Sequence, residues 1–502
     1  MNDSEAKLIH EFSSPGRRAL TFPALPKELE ACSKRLPERH RRKSPLGLPE
    51  VSQVDVVRHY TRLSQKNYSV DTGFYPLGSC TMKYNPKINE QVAALDGFVG
   101  AHPYQPEEQV QGLMEIYYEL ANTLRELTGL AGVSLQPAAG AHGEYTALLV
   151  ARAHFQERGE KRSLVVVPDS AHGTNPASAR RCGFRVAQVA SNKRGRLDLT
   201  QLEKHLNDEF GVLMVTNPST LGLFENEIAQ IAERVHKAGG LIYMDGANFN
   251  AIMGITRPGD FGVDLLHLNM HKTFSTPHGG GGPGAGPICV RDFLVPYLPR
   301  PQIVKEGGVY RWRDTSPKSV GKVRALFGNA GVIIRAYCYV RALGAEGLRD
   351  VSRAAVLNAN YLAALLKDEF TIPYGNRCMH EFVINSSFLK EYGVKALDIA
   401  KGLIDEGFHP PTTYFPLLVP EALMIEPTET ETKETLEAFA AAMIRLKKKA
   451  QQDPEQLRQA PHTTAVSRFD EYQAALKPTL KWTPETTRDF PAEKSALTPA
   501  RD

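Results

Sequence analysis

The clearest hydrophobic pattern in the chain begins after Glu107. Val110, Leu113, Met114, Tyr117, Leu120, Ala121, Leu124 and Leu127 recur at three- and four-residue intervals, which places them on one helical face. Gly129 stands where a left-handed cap ends such a helix. Further along the period changes. Leu164 to Val167, Val212 to Thr216, Leu241 to Met244 and Leu265 to Leu268 are short, mainly apolar runs, the pattern of parallel strands buried on both faces. Between them lie amphipathic segments, such as Asn226 to Lys237 with Ile228, Ile231, Ala232 and Val235 on one side. Strands alternating with crossover helices predict a doubly wound, mostly parallel α/β domain that binds ligands at the carboxyl ends of its strands.

After about Ala345 the pattern changes again. A long helical segment containing Leu357, Tyr361 and Leu365 leads into the alternating run Glu381 to Asn385 and a helix from Thr432 to Lys448, which predicts a smaller α+β domain. The first sixty residues show no sustained period and carry a basic cluster at Lys34, Arg35, Arg39, Arg41, Arg42 and Lys43, the look of a solvated arm. From Gln451 the chain is rich in Pro, Thr and charge and is expected to lie over the surface. These breaks divide the chain into an arm (1–75), a large domain (76–345), a small C-terminal domain (346–450) and a tail (451–502).

Composition narrows the classes. With 42% hydrophobic and 23% charged residues, the 502-residue chain is of ordinary globular make-up. Its net charge of +4 is no general argument for nucleic acid or an anionic membrane. The start, Met1-Asn-Asp-Ser-Glu-Ala-Lys, resembles neither a secretory signal nor a transit peptide, and no apolar run approaches the roughly 20 residues that span a bilayer. A cytoplasmic protein is expected. The six cysteines form no C-x-x-C pair, which argues against a structural zinc site or a disulfide framework.

The densest candidate chemistry follows the run at Leu265. There His271-Lys272 joins a strand end to the glycine-rich stretch Gly279 to Gly286. Lys272 at such a point is a candidate nucleophilic amine. Gly279-x-Gly281-x-x-Gly284 fits the dinucleotide fingerprint literally, but a strand-like Ile288-Cys-Val290 follows where a helix should open. His267, His271 and His278 lack the helical glutamate motif of a zinc site, so no metal is expected. Asp245 ends the hydrophobic run Leu241 to Met244, 27 residues before Lys272. Ala138-Ala-Gly140-Ala141-His-Gly143-Glu opens a helical run, and a helix N-terminus with glycine backbone is a phosphate seat. Between them, His172 follows another strand and is placed to stack on an aromatic ring. Phosphate loop, stacking residue, acid and lysine, in that order, are what fold type I pyridoxal phosphate enzymes show. Such an enzyme needs an amine to hold the aldehyde as a Schiff base and an acid to keep the ring nitrogen protonated.

Tyr75 to Asn85, Gln136 to Tyr145, Ser170 to Ser178, Asp245 to Asn248, Asn269 to Phe274 and Gly321 to Asn329 resemble the glycine-cleavage P-protein family, and the matches run nearly end to end. Ser79-Cys-Thr-Met-Lys83 and His271-Lys-Thr-Phe274 are the most specific of them. The length fits the split form of the family. The resemblance implies an aspartate aminotransferase-like fold and pyridoxal 5'-phosphate bound covalently to Lys272. It implies decarboxylation of glycine, with transfer of the aminomethyl group to the lipoyl arm of H-protein. A homologous subunit 1 without the lysine is implied as partner, in two copies of each chain. It also implies that His271 touches the phosphate, that Thr216 and Asn217 bond the ring oxygen or substrate, and that Cys80, Thr81, Asn85 and His102 lie at the substrate mouth. Arg324 and Arg335 are candidates for the glycine carboxylate, with structural ion pairing as the alternative. Cys80 is either a redox-sensitive thiol or a packed small residue. Two other functions fit parts of the pattern: a decarboxylase or aminotransferase acting on free substrates, and a catalytically silent scaffold. The presence of both Lys272 and Asp245 argues against the scaffold.

Overall fold

The computed structural model describes residues 7–478 and 480, apart from residues 22, 34, 45, 280–283, 315, 376 and 465. Lys34 of the basic cluster, the middle of the glycine-rich stretch and the end of the tail lie outside the described residues.

A seven-stranded sheet organises the larger part of the chain. Its strands are β1 (Gly132–Ser134), β2 (Leu164–Pro168), β3 (Arg185–Val189), β4 (Phe210–Thr216), β5 (Leu241–Gly246), β6 (Leu265–Leu268) and β7 (Ile288–Val290), in the spatial order β1-β7-β6-β5-β4-β2-β3. The four apolar runs read from the sequence are β2, β4, β5 and β6, all mutually parallel where they pair. β7 runs against both of its neighbours, β1 and β6. Every residue of β2, β4, β5 and β6 is buried, because helices cover both faces of the sheet. On one side Leu120, Leu124, Ile231 and Val235 pack onto Leu213, Ile242 and Leu266; on the other Ala147, Leu148 and Ala151 pack onto Val165, Met214 and Tyr243. The helix expected after Glu107 spans Gln111–Thr128. It ends at Gly129, whose φ of 68° is the left-handed conformation that glycine adopts most easily.

The helix Ala330–Leu366 leads from the large domain to the small one and breaks at Gly344, with φ 64° and ψ −176°. Two strands of the large part, β8 (Gln302–Glu306) and β9 (Val309–Arg313), form a separate hairpin turned at Gly307-Gly308. Beyond the long helix, β10 (Phe382–Asn385), β11 (Thr412–Thr413) and β12 (Ala422–Ile425) form an antiparallel sheet in the order β10-β12-β11. Helices Ala396–Asp405 and Lys433–Gln452 cover it.

Three expectations change. The arm contains a 13-residue helix, Gln53–Gln65, capped by Ser52 Oγ accepting from the Asp55 N–H at 3.1 Å. None of its residues is buried, although Val56, Tyr60 and Leu63 recur at helical spacing. Next, Phe74 enters the small-domain core against Phe439, and Leu77 bridges Ile425, so the chain around residue 75 is tied to the C-terminal part. Finally, the tail does not begin as a surface cover. The short helix Pro454–Arg458 inserts Leu457 into the same core.

Candidate active site

Register places the chemistry. In the parallel ladder Thr216 of β4 stands beside Asp245 of β5, and Asp245 stands beside His267 of β6. Partners in register point to the same face, so three polar residues form a row near the carboxyl edge of the sheet. β6 is followed directly by the single helical turn Met270–Thr273, which carries His271 and Lys272 into the same cleft. A cavity of about 250 Å³ is lined there by Gly140, Ala141, His172, Thr216, Asp245, His271 and Lys272, all expected from the sequence. Ser79, Glu144, Thr174, Thr220, His267 and Asn269 line it as well.

Asp245 is 3% exposed and held from several sides. Its Oδ2 accepts from Asn175 Nδ2 at 3.0 Å and its Oδ1 from the Ala247 N–H at 2.9 Å, with His267 Nε2 at 3.5 Å. Burial alone raises a carboxyl pKa. Here His267, the Asn175 hydrogen bond and the Lys272 charge outweigh it, so Asp245 is held below the ordinary value and stays ionised. Its neighbour Glu144 moves the other way, pushed up by burial and by the Asp245 charge, while Thr174 and Ser178 hydroxyls donate to it at 2.8 and 3.1 Å. His267 does not act as a metal ligand with His271 and His278: its Nδ1 is bonded to the Tyr243 hydroxyl at 2.5 Å and its Nε2 to Asn269 at 2.9 Å.

The helix Gly140–Glu157 opens at the other wall. A Cβ on Gly140 would come within 2.3 Å of Asn269 Nδ2, and one on Gly143 within 2.7 Å of the Gly286 carbonyl oxygen. Only glycine permits this approach, which leaves the first-turn N–H groups facing the cleft as an anion seat. Thr216 Oγ1 and His271 Nδ1 are buried polar atoms without a hydrogen-bond partner among the described residues. Burial and the neighbouring His278 and Lys272 push His271 down to about 3, so it is neutral. His172 stands at the rim, 6.0 Å from the Phe415 ring, and desolvation, with the Lys272 charge, lowers its pKa. A lysine amine, an ionised aspartate, an imidazole at the rim and an anion seat fit pyridoxal phosphate.

The remaining candidates divide. Asn217 is buried behind the cleft, where its Oδ1 accepts from the Glu225 N–H at 2.9 Å. Thr81 is buried and donates to Glu426 rather than lining the cavity. Asn85 Nδ2 donates to the Ser275 carbonyl oxygen at 3.0 Å. His102 is exposed beside Tyr104 and does not line the cavity. Burial pushes the Cys80 thiol up to about 11 despite the Lys272 charge, which favours a packed residue over a reactive one. Arg335 forms a two-pronged ion pair with Glu90 at 2.7 Å, a structural role, whereas Arg324 is exposed.

Sequence reading passed over Asn175 and Glu144, and treated His267 only as a metal candidate. A histidine inside a strand that is otherwise apolar was the available signal, since a buried polar side chain requires a partner.

The fold is that of fold type I pyridoxal phosphate enzymes. An inhibitor-bound crystal structure of glycine decarboxylase (P-protein) of the glycine cleavage system superposes with a TM-score of 0.72 at 22% identity, covering 85% of this chain and 100% of that one. Glutamate decarboxylase of Lactobacillus brevis gives 0.64 at 13% identity, covering 83% and 97%. Sequence likeness is stronger. A probable glycine dehydrogenase (decarboxylating) subunit 2 of Caldanaerobacter subterraneus subsp. tengcongensis is 57% identical over 477 residues, 95% of this chain and 98% of that relative. Its counterpart in Desulforamulus reducens is 54% identical over 481 residues, 95% and 99% of the two chains. The model of the glycine dehydrogenase C-terminal domain matches residues 351–464, and that of the glycine cleavage system P-protein matches residues 24–303, more than half of the chain. With the lysine and aspartate meeting in one cleft, these matches establish that the chain belongs to the glycine cleavage system P-protein family.

Proposed function

We propose that this chain is the cofactor-bearing subunit of a two-chain glycine decarboxylase. It would act on glycine and pass the aminomethyl group to the lipoyl arm of H-protein. A homologous subunit 1 would complete the enzyme, with two copies of each chain, in the cytoplasm. The observation that carries this reading is the convergence of Lys272, Asp245, His172 and the Gly140 helix terminus on one cavity.

Lys272 would hold pyridoxal phosphate through its ε-amine. When bound, the cofactor supplies an electron-accepting ring that stabilises the charge left on carbon as carbon dioxide departs. Asp245, kept ionised by its partners, holds a proton at the ring nitrogen. Neutral His271 and the helix N–H groups receive the phosphate without bringing a further cation beside Lys272. Thr216 Oγ1 has a hydrogen to donate to the ring oxygen. His172, at the cavity rim, would stack on the ring.

The test is borohydride reduction of the cofactor-loaded chain followed by peptide mapping, then glycine carboxyl exchange with subunit 1 and lipoylated H-protein added. A reduced adduct on Lys272 with carrier-dependent exchange is expected. Absence of the adduct when subunit 1 is present overturns the reading.

A further inference from the structure

Three residues of the cavity wall, Glu144, Thr174 and His172, form one chain of hydrogen bonds. Glu144 is 3% exposed, on the helix Gly140–Glu157. Its Oε1 lies 2.8 Å from Thr174 Oγ1 and its Oε2 3.1 Å from Ser178 Oγ; both partners stand on the helix Thr174–Arg181. The same Thr174 oxygen lies 2.8 Å from His172 Nδ1, and the Thr174 backbone N–H donates to that nitrogen at 3.3 Å.

A hydroxyl has one hydrogen, and Thr174 Oγ1 has two close partners. The direction of the Thr174 backbone N–H is fixed, so His172 Nδ1 is an acceptor and the imidazole hydrogen sits on Nε2. If the Thr174 hydroxyl donates to an ionised Glu144, its lone pairs face the Nδ1 lone pair at 2.8 Å with no hydrogen between them. If it donates to Nδ1, the hydrogen in the 2.8 Å contact with Glu144 must come from the carboxyl group. Only the second arrangement satisfies all three groups. A charged imidazole would set Nδ1–H against the backbone N–H, and burial with the Lys272 charge already lowers His172.

The groups facing Glu144 agree with this. Asp245 of β5 and His267 of β6 bring ligand atoms to within 4.8 Å of its own. Asp245 is ionised, and His267 stands 3.5 Å from Asp245 with its nitrogens bonded to Tyr243 and Asn269. Burial first, then the Asp245 charge, raise the Glu144 carboxyl, because an ionised Glu144 would be a second buried negative charge. A metal is the poorer occupant of this group, since His267 has no free nitrogen to offer.

We propose that Glu144 is a neutral carboxylic acid that donates to Thr174, so that Thr174 donates to His172 Nδ1 and fixes His172 as its Nε2–H tautomer. The Thr174–Glu144 bond thus runs from glutamate to threonine, the reverse of the direction an ionised Glu144 would impose. The consequence for the reaction rests on the roles read above for His172 and Asp245. Glu144 is a positioning residue: it acts on the cofactor seat through Thr174 and His172. By keeping its proton it leaves Asp245 as the one charged carboxylate among the residues lining the cavity.

The test uses the full chain without cofactor. In the infrared difference between wild type and Glu144→Gln at neutral pH, a carboxylic acid band belonging to the wild type is expected; carboxylate bands in its place overturn the proposal. Glu225, Glu381 and Glu426, also raised by burial, are common to both proteins and cancel. Nitrogen-15 spectra of the histidine rings, with His172 assigned by its loss from His172→Gln, are expected to show Nε2 with a hydrogen and Nδ1 without one; the opposite tautomer overturns the proposal. Thr174→Val should move the Nδ1 resonance toward that of a nitrogen with no hydroxyl donor, and an unmoved resonance overturns the Thr174 link. The wild-type tautomer is decisive even where a variant fails to fold. In the loaded chain, Glu144→Ala is expected to lose about tenfold in glycine carboxyl exchange, and Glu144→Gln, which has hydrogens to donate to Thr174, to recover most of that loss. Equal losses overturn the positioning role. Failure of the cofactor to load overturns the functional reading instead, and leaves the spectra standing.

Discussion

Lys83 donates from Nζ to the carbonyl oxygen of Thr273 at 3.0 Å, at the residue directly after Lys272. The same ammonium reaches Glu429 at 2.7 Å and the Tyr339 hydroxyl at 3.3 Å, and Lys83 is only 2% exposed. It therefore ties the turn that carries Lys272 to the small domain. Two residues on, Asn85 repeats the connection at Ser275. Ser79 and Thr81 adopt φ values of 64° and 50°, left-handed conformations that cost about 1–3 kcal/mol each in a non-glycine residue. The bonds from their N–H groups to Glu381 and Glu426 offset that strain. The sequence Ser79 to Lys83 thus acts as a strap between the small-domain carboxylates and the turn that carries Lys272.

Lys83→Met leaves Glu429 buried without its cation and is expected to destabilise the chain by about 3–5 kcal/mol in denaturant unfolding. Lys83→Met combined with Glu429→Gln should recover part of that loss. If the single and double variants are equally unstable, the ion pair is not the source of the effect.

Asp245→Asn should retain the fold and still bind cofactor, while glycine carboxyl exchange falls by about a hundredfold or more. On the proposed reading the carboxylate, rather than its hydrogen bonds, would hold a proton at the ring nitrogen. Exchange assays at saturating cofactor separate this from weak loading.

Gly143→Ala places a methyl group 2.7 Å from the Gly286 carbonyl oxygen and 2.9 Å from His267 Cβ. Backbone on one side and a doubly bonded histidine on the other leave it nowhere to go. A loss of about 1–3 kcal/mol is expected, with weaker cofactor uptake followed by absorbance.

Stability should depend on pH with opposite signs at two places. Glu381 and Glu426 are raised in the folded chain, by burial first and, for Glu381, by the neighbouring charge. The unfolded chain then releases protons first, so their contribution is best at low pH and declines as pH rises above the ordinary glutamate value of about 4.3. Asp245 is lowered, so its contribution is present above about 3.9 and is lost as pH falls through the folded value. Glu381→Gln should flatten the decline on the alkaline side. Denaturant midpoints measured between acid and mildly alkaline pH check this; an unchanged slope counts against it.

Much of this architecture was legible before any coordinates. The runs at Leu164, Val212, Leu241 and Leu265 are strands because an apolar segment too short for a helix and bounded by loops has few other ways to bury itself. The β8 and β9 hairpin was passed over, although Gly307-Gly308 between two alternating runs is a turn signal. The helix Gln53–Gln65 is a similar case, since Val56, Tyr60 and Leu63 recur at helical spacing behind the capping residue Ser52.

The site itself divides along the same line. Local chemistry was enough to single out Lys272, Asp245, His172 and the Gly140 loop, since each follows a strand or opens a helix, and such positions face ligands in an α/β sheet. Motif order, together with the family resemblance, carried the cofactor class. Pairing of distant segments supplied the rest. That Thr216, Asp245 and His267 form one row depends on the register of three strands. That Glu381 and Glu426 converge on the Ser79 and Thr81 N–H groups depends on where the small domain packs, more than 300 residues further along the chain. Hydrophobic period encodes which segments are buried, but which buried polar groups become neighbours is set only when the domains close on one another and each must find a partner.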